Sequence, residues 1–283
     1  MSVVPGNGRL AGQSAIVIGG AGGICSESAL RLIEDGAAVL LMDRQADALE
    51  AARARLVGAV PGARVEIFTG NGLLADDVTA ALEAAHGMAG RLDMIVQGIG
   101  GGRFRPILMH DVASFMKVVE LNVVPTFLAI RHGAPLLERG GSITCISSTA
   151  AGSVTPWMAP YMVGKAGVEQ LVQAAAEELG AAGIRVNAVR PGMTLTAANG
   201  SPEAQARMVE AVLPEVPLGR TGVPADIAAA VRYLAGPESS WVTGQIIAVD
   251  GGGLLRKNPA NTDLLAEMYG PEAVAKVLAG KVP

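Results

Sequence analysis

The sequence predicts an α/β fold: a doubly wound parallel sheet of about seven strands, with helices on both faces, in a single domain. Three observations carry this. Short apolar runs alternate with stretches of helical period along almost the whole chain. The first run, SAIVI, ends in a glycine cluster that opens a helical segment, the layout of a strand–turn–helix nucleotide cradle. Half of the 283 residues are hydrophobic and only 17% are charged, enough to bury a sheet on both sides. Aromatics make up 3%, so the core must be aliphatic. The length suits one large α/β domain.

Composition also excludes. A net charge of −4 gives no reason to expect nucleic acid or an anionic membrane surface as partner. Two cysteines, Cys25 and Cys145, make neither a disulfide framework nor a metal pattern, and Cys145 reads as core. The N-terminal stretch lacks the pattern of a signal peptide, and no uninterrupted apolar run is long enough for a bilayer. The expectation is a soluble cytoplasmic protein with no metal and no membrane partner.

Taken in order, the strand at 14–18 runs into Gly19, Gly20, Gly22 and Gly23, and a helix follows from Ile24 to Glu34. Glycines there let backbone approach a pyrophosphate, and the helix N-terminus complements its charge. An ordinary strand–helix turn also uses glycine. A second strand, 37–42, ends at Asp43, placed to bond both ribose hydroxyls of an adenosine and to repel a 2′-phosphate. That favours NAD over NADP, although Arg44 next door can accept a phosphate. The plainer reading makes Asp43 the cap of a helix over 45–56. A third strand, 64–68, leads to Asn71 and Gly72, then a helix over 73–86. A fourth, 92–96, runs into Gln97, Gly98, Ile99, Gly100, Gly101 and Gly102. Asp43, Asn71, Gly98 and Ser148 would then share the C-terminal sheet edge, where such folds bind ligands.

A long apolar helix is expected over 111–138, with Asn122 inside it and Pro125 making it irregular enough to hold a water. The fifth strand, 142–146, leads to Ser148. The helix over 160–181 carries Tyr161 and Lys165, and a sixth strand, 184–189, precedes Pro191 and Gly192, with Thr194 and Thr196 beyond. Residues 197–217, interrupted by three prolines, read as a lid or a surface loop. A helix over 224–234 and a seventh strand, 245–249, close the series; residues 254–283 are a helical extension without strand character.

Tyr161 and Lys165 stand four apart, so on a helix they share a face. A cation beside the phenol favours phenolate and tunes the group for proton transfer, and a serine from the preceding strand end can hold the oxygen concerned. This is a carbonyl/alcohol redox arrangement.

With these residues in view, the chain over 9–253 resembles the short-chain dehydrogenase/reductase family. Ser148, Tyr161 and Lys165 match its serine and YxxxK motif, and Asn122 matches the asparagine of its tetrad. Arg185-Val186-Asn187, Pro191-Gly192 and Thr196 match the segment after its sixth strand, and Val249-Asp250-Gly251-Gly252 its last strand. The resemblance implies a Rossmann-type fold and hydride transfer with a nicotinamide cofactor. Tyr161 would be the general acid/base, Lys165 would assist it and bond the nicotinamide ribose, Ser148 would position the substrate oxygen, and Asn122 would hold a water of a proton relay. Gly19, Gly22, Gly23, Ile24, Asp43, Arg44, Asn71, Gly72, Gly98, Ile99, Gly100, Pro191, Gly192, Thr194 and Thr196 would line the cofactor. The family is usually tetrameric, and the apolar faces of the helices over 111–138 and 160–181 also predict a homodimer or homotetramer.

Departures gather on the cofactor side. The family's TGxxxGxG has Ile18 for its threonine and Cys25 for its last glycine; NNAG is Gln97-Gly98-Ile99-Gly100; the aspartate after the third strand is Asn71. A repacked contact, with Gln97 bonding the neighbouring strand and the Asn71 amide oxygen serving adenine, is the expectation.

Substrate walls are expected from Gly101, Phe104, Ser148, Ala150, Trp157, Met158, Met193 and Met208. Packing in core or lid explains Met193 and Met208 equally well. An apolar pocket suits a cyclic or otherwise apolar secondary alcohol or ketone, steroid-like ones included. A 3-oxoacyl-acyl-carrier-protein reductase is the alternative; its acidic carrier needs basic residues, for which Arg103, Arg105 and Arg131 are available, but the 170–180 segment carries glutamates and no arginine. A non-catalytic nucleotide-binding scaffold is the third reading.

Overall fold

A computed structural model describes residues 8–196, 200–256 and 261–283. Seven parallel strands form one sheet in the order β3-β2-β1-β4-β5-β6-β7. They are β1 (Ser14–Ile18), β2 (Ala38–Asp43), β3 (Val65–Thr69), β4 (Leu92–Gln97), β5 (Leu137–Ile146), β6 (Arg185–Pro191) and β7 (Ile246–Val249). Between them run α1 (Gly23–Glu34), α2 (Ala46–Ala59), α3 (Ala75–Ala89), α4 (Val112–Gly133), α5 (Ala159–Gly180), α6 (Pro202–Val212) and α7 (Pro224–Ala235); α8 (Thr262–Tyr269) and α9 (Pro271–Leu278) follow β7.

Period-two alternation sorts the strand side chains into two cores. Ile16, Ile18, Leu40, Met42, Ile95 and Ile143 point to α3, α4 and α5. Ala15, Val17, Val39, Leu41, Met94 and Val96 point to α1, α2 and α7. Strand order reverses between β1 and β4, so the Gly19 turn and the Gln97–Gly102 run flank the crevice at the switch point.

Three expectations are corrected. Helix α4 stops at Gly133, and after a 3-10 turn the chain enters β5 at Leu137, five residues before the expected start at Ser142. Residues 202–212 form a helix: Pro202 stands in its first turn, where no amide hydrogen is needed, and Ser201 caps it by accepting from the Ala204 amide. Residues 197–199 of the expected lid lie outside the described residues. The stretch Val112–Leu136 is long and apolar enough, by length and composition, to cross a membrane; here it flanks the sheet, packed against α3 and α5.

Candidate active site

Helix α5 starts with Pro160 in its first turn, which places Tyr161 and Lys165 one turn apart beyond the end of β5. The Lys165 ammonium lies 5.9 Å from the Tyr161 ring centroid. It is buried and donates to the Ile146 carbonyl at 2.7 Å, and burial lowers its pKa from 10.5 to about 8. Ser148 caps the 3-10 turn after β5, its hydroxyl accepting from the Ala150 amide at 3.2 Å, and it also hydrogen-bonds Tyr161. The expectation that Lys165 sets the phenol below its usual value is corrected. Burial pushes Tyr161 up, and what pulls it back is the Ser148 hydrogen bond.

Asn122 is fully buried. Its amide donates to the Gly101 carbonyl and to the Val118 carbonyl, both at 2.8 Å, and its oxygen accepts from the Gly101 amide at 3.0 Å. Helix α4 passes unbroken through Pro125, contrary to the expected irregularity. The side chain of Asn122 therefore pins the loop after β4, and its main-chain carbonyl accepts from the Thr126 hydroxyl at 3.4 Å. The glycine run is what lets that loop press on the site. A Cβ on Gly100 would fall 2.5 Å from the Asn122 oxygen and 2.7 Å from the Lys165 nitrogen, and one on Gly102 would fall 2.7 Å from the Tyr161 Cβ.

On the nucleotide side, the amides of Gly19 and Gly20 bond the Met42 carbonyl at 2.8 and 2.9 Å, tying the turn to the end of β2 beside Asp43. Helix α1 has Gly22 at its N-cap with no side-chain capping bond. The first-turn amides, Gly23 and Ile24 among them, are thus left for an anion, a donor set that fits a dinucleotide pyrophosphate. The Thr196 side chain lies against Gly23, 3.1 Å from where a Cβ would stand. The Gly192 amide donates to Val249 at 3.0 Å, and Thr194 donates to the Gly192 carbonyl at 3.0 Å. Asp43 accepts from the Gln45 amide at 3.3 Å, but the N-cap of α2 is Gln45 itself, which corrects the capping alternative; Arg44 is exposed. The Asn71 oxygen already accepts from the Leu73 amide at 3.1 Å, so one of its two lone pairs is taken.

The departures from the family pattern interlock. A Cβ on Gly98 would lie 2.1 Å from Cys25 Sγ, and one on Gly72 would lie 2.3 Å from Ile99 Cδ1. Each larger residue fills the space opened by a glycine across the crevice. Gln97 does not bond the neighbouring strand: its amide donates to Thr126 at 2.7 Å and its oxygen accepts from the Ile99 amide at 2.5 Å, linking the β4 exit to α4.

Among the expected substrate walls, the Phe104–Arg105 segment meets the Trp157 region, with the Arg105 amide donating to the Trp157 carbonyl at 2.7 Å. Trp157 adopts φ 66°, a left-handed conformation rare for a bulky residue. Met158 is the N-cap of α5. Ala150 is buried in the 3-10 turn after Ser148. Met193 lines a small cavity of about 100 Å³ with Leu218, Arg220, Asp226 and Asp250, while Met208 is half-buried on α6. A larger cavity, about 410 Å³, lies at the opposite, N-terminal edge of the sheet between Gln13, Ala37 and Arg64, away from these groups.

Sequence reading missed a buried network behind Ser148. Glu169, one turn beyond Lys165, accepts from Ser147 at 2.6 Å and from Arg190 at 2.8 and 2.5 Å. The signal available was a carboxylate on the inner face of α5, four residues after the lysine.

Serine, phenol and ammonium thus stand at the sheet edge opposite an uncapped helix N-terminus, the layout of a Rossmann-type hydride-transfer enzyme. Residues 19–253 match the family model described as enoyl-(acyl carrier protein) reductase. The 7alpha-hydroxysteroid dehydrogenase of Escherichia coli is 35% identical over 260 residues, 89% of this chain and 98% of that protein. Galactitol 2-dehydrogenase of Cereibacter sphaeroides is 36% identical over 248 residues, covering 86% and 96%. Among solved structures, a short-chain type dehydrogenase/reductase from Mycobacterium ulcerans superposes with TM-score 0.86 at 33% identity, covering 94% of this chain and 98% of that one. A 7alpha-hydroxysteroid dehydrogenase with NADH and 7-oxo glycochenodeoxycholic acid gives 0.80 at 33%, covering 91% and 100%. A Burkholderia cenocepacia short chain dehydrogenase with NADP gives 0.78 at 28%, covering 87% and 99%. The chain belongs to the short-chain dehydrogenase/reductase family. It is an oxidoreductase that transfers hydride between a nicotinamide dinucleotide and a secondary alcohol or ketone.

Proposed function

We propose an NAD-dependent dehydrogenase or ketoreductase for an apolar or cyclic secondary alcohol, with Tyr161 as general acid/base. The observation that carries this is the convergence beyond β5 of Ser148, Tyr161 and the buried Lys165, whose ammonium lies 5.9 Å from the phenol ring. Ser148 holds the substrate oxygen, and Tyr161 gives it a proton in reduction or removes one in oxidation. Lys165 orients the phenol side of the site and bonds the nicotinamide ribose. Asn122 fixes Gly101 in the loop after β4, beside Lys165 and Tyr161. When bound, the nicotinamide supplies or accepts the hydride. Gly19 to Ile24, Gly98 to Gly100, Gly192, Thr194 and Thr196 line its cradle. Asp43 supports NAD: a carboxylate at the end of β2 suits two ribose hydroxyls and repels a phosphate.

Relatives that act on hydroxysteroids and a sugar alcohol support a free secondary alcohol as substrate, while a 3-oxoacyl-acyl-carrier-protein reductase of Thermotoga maritima, 32% identical, supports the alternative. An acyl-carrier reductase has in its support the exposed Arg103 and Arg131 and the description of the family model. Exposed Phe127 on α4 and Val163 on α5 support a homo-oligomer built on these helices. The decisive experiment pairs Tyr161→Phe with calorimetry. Turnover is expected to fall by about 10²–10⁴-fold with NAD binding retained; undiminished turnover refutes the assignment. In the same assay NADH should outperform NADPH, and the reverse order refutes the role of Asp43.

A further inference from the structure

The C-terminal extension lies beyond the family match at residues 19–253, yet it is folded onto the substrate side of the site. Helices α8 and α9 each bury one apolar residue, Leu265 and Val274. The Tyr269 hydroxyl, at the end of α8, donates to the Phe104 carbonyl at 2.5 Å. The next amide along, Arg105, donates to the Trp157 carbonyl. The single peptide group joining Phe104 to Arg105 is thus held at its carbonyl by the extension and at its amide by the stretch that joins Ser148 to Tyr161. From the same helix Glu267 pairs with Arg207 on α6, the neighbour of Met208. Farther back, Arg256 donates to the Pro214 carbonyl at 2.5 Å. The Glu267–Arg207 pair is exposed, so its own strength is small. What matters is that α8 reaches both the Phe104 loop and α6. A hydrogen bond made by a hydroxyl to a main-chain carbonyl fixes backbone position, and here that backbone bears Phe104.

We propose that Tyr269 is a specificity-determining residue: α8 closes the substrate mouth of its own chain by holding the Phe104 loop against Trp157 and α6 opposite, and so admits compact, single-ring secondary alcohols and ketones in preference to fused polycyclic ones. This rests on the dehydrogenase reading above and narrows it. Its mechanism is steric, and Tyr269 takes no part in proton or hydride transfer.

The test uses the full chain with Tyr269→Phe and Tyr269→Ala. Calorimetry with NAD present compares binding of a single-ring ketone and a four-ring steroid ketone, where no turnover can occur. Hydrogen exchange follows the amides of 101–110 and 202–212. In Tyr269→Ala the ratio of four-ring to single-ring affinity should rise by about tenfold or more, with NAD affinity unchanged and both segments exchanging faster. Tyr269→Phe, which keeps the ring, should show the faster exchange in 101–110 and a smaller rise. An unchanged affinity ratio in Tyr269→Ala overturns the proposal. Turnover of the same alcohols by the wild type is scored separately: its failure would count against the dehydrogenase reading, while the binding ratio would still decide the role of Tyr269.

Discussion

Cys25 on α1 and Gly98 at the exit of β4 occupy one volume between them, for a Cβ on Gly98 would fall 2.1 Å from the cysteine sulfur. The family pattern has the small residue on the helix and the large one on the strand exit; this chain has exchanged them. The buried thiol fills the space, and burial pushes it up to about 12, so it packs as an apolar group rather than reacting as a thiolate. Gly98→Ala should therefore destabilise the chain by about 1–3 kcal/mol through overpacking. Cys25→Gly alone leaves a void, and Cys25→Gly with Gly98→Asn should recover stability beyond the sum of the single changes. Urea unfolding of the wild type, Cys25→Gly, Gly98→Asn and the double variant forms a cycle whose coupling is expected at about 0.5–3 kcal/mol; additive effects would show that the two positions do not share space.

The same pair shows where the sequence stops being readable. Cys25 and Gly98 are each visible as departures, but their complementarity depends on β1 lying next to β4, a property of strand order rather than of either segment. The strands, the glycine turn and the one-turn spacing of Tyr161 and Lys165 were legible because each rests on local period. Pro202 misled because a proline that breaks a helix interior is welcome in a first turn. The start of β5 was hidden by Leu137 to Gly141, where charge and glycine mask an edge of sheet pairing. Glu169 escaped notice because glutamate on a helix ordinarily faces water, and only Arg190, far along the chain, makes its burial tolerable. Tyr269 carried no local signal at all.

Glu169 and Arg190 yield the next prediction. The pair is largely buried, and Glu169 also holds Ser147, the neighbour of Ser148, while Arg190 precedes Pro191 and Gly192. Replacing Arg190 by Met leaves a buried carboxylate with a single partner and should cost about 3–5 kcal/mol of stability. Removing both charges, as Glu169→Leu with Arg190→Met, should recover much of that loss. Thermal unfolding distinguishes the outcomes; a double variant less stable than Arg190→Met would show that the charges are not what the burial must balance. In the double variant turnover should remain reduced, since Ser147 has lost its anchor.

Lys165 yields a prediction about pH. Its folded pKa of about 8 lies below the unfolded value of 10.5, because burial disfavours the ammonium more than its partners, Glu169 among them, favour it. Between those values the unfolded chain binds the proton and the folded chain does not, so stability rises as pH rises. Cys25 and Cys145 act with the opposite sign: raised from 9.0 to about 12, they hold protons in the folded chain that the unfolded chain has lost, and stability falls as pH passes 9.0. The window in which Lys165 acts without them therefore runs from about 8 to 9.0. Across that unit of pH the cofactor-free chain should gain up to about 1 kcal/mol, and Lys165→Met, which keeps the stem and loses the titrating group, should not. Urea midpoints taken at close pH intervals for both proteins measure the difference of slopes. Parallel slopes in the two proteins would show that the ammonium is not desolvated in the fold. Above 9.0 both proteins should decline, and Lys165→Met the more steeply up to 10.5, since both keep the buried thiols but only the wild type still gains from Lys165.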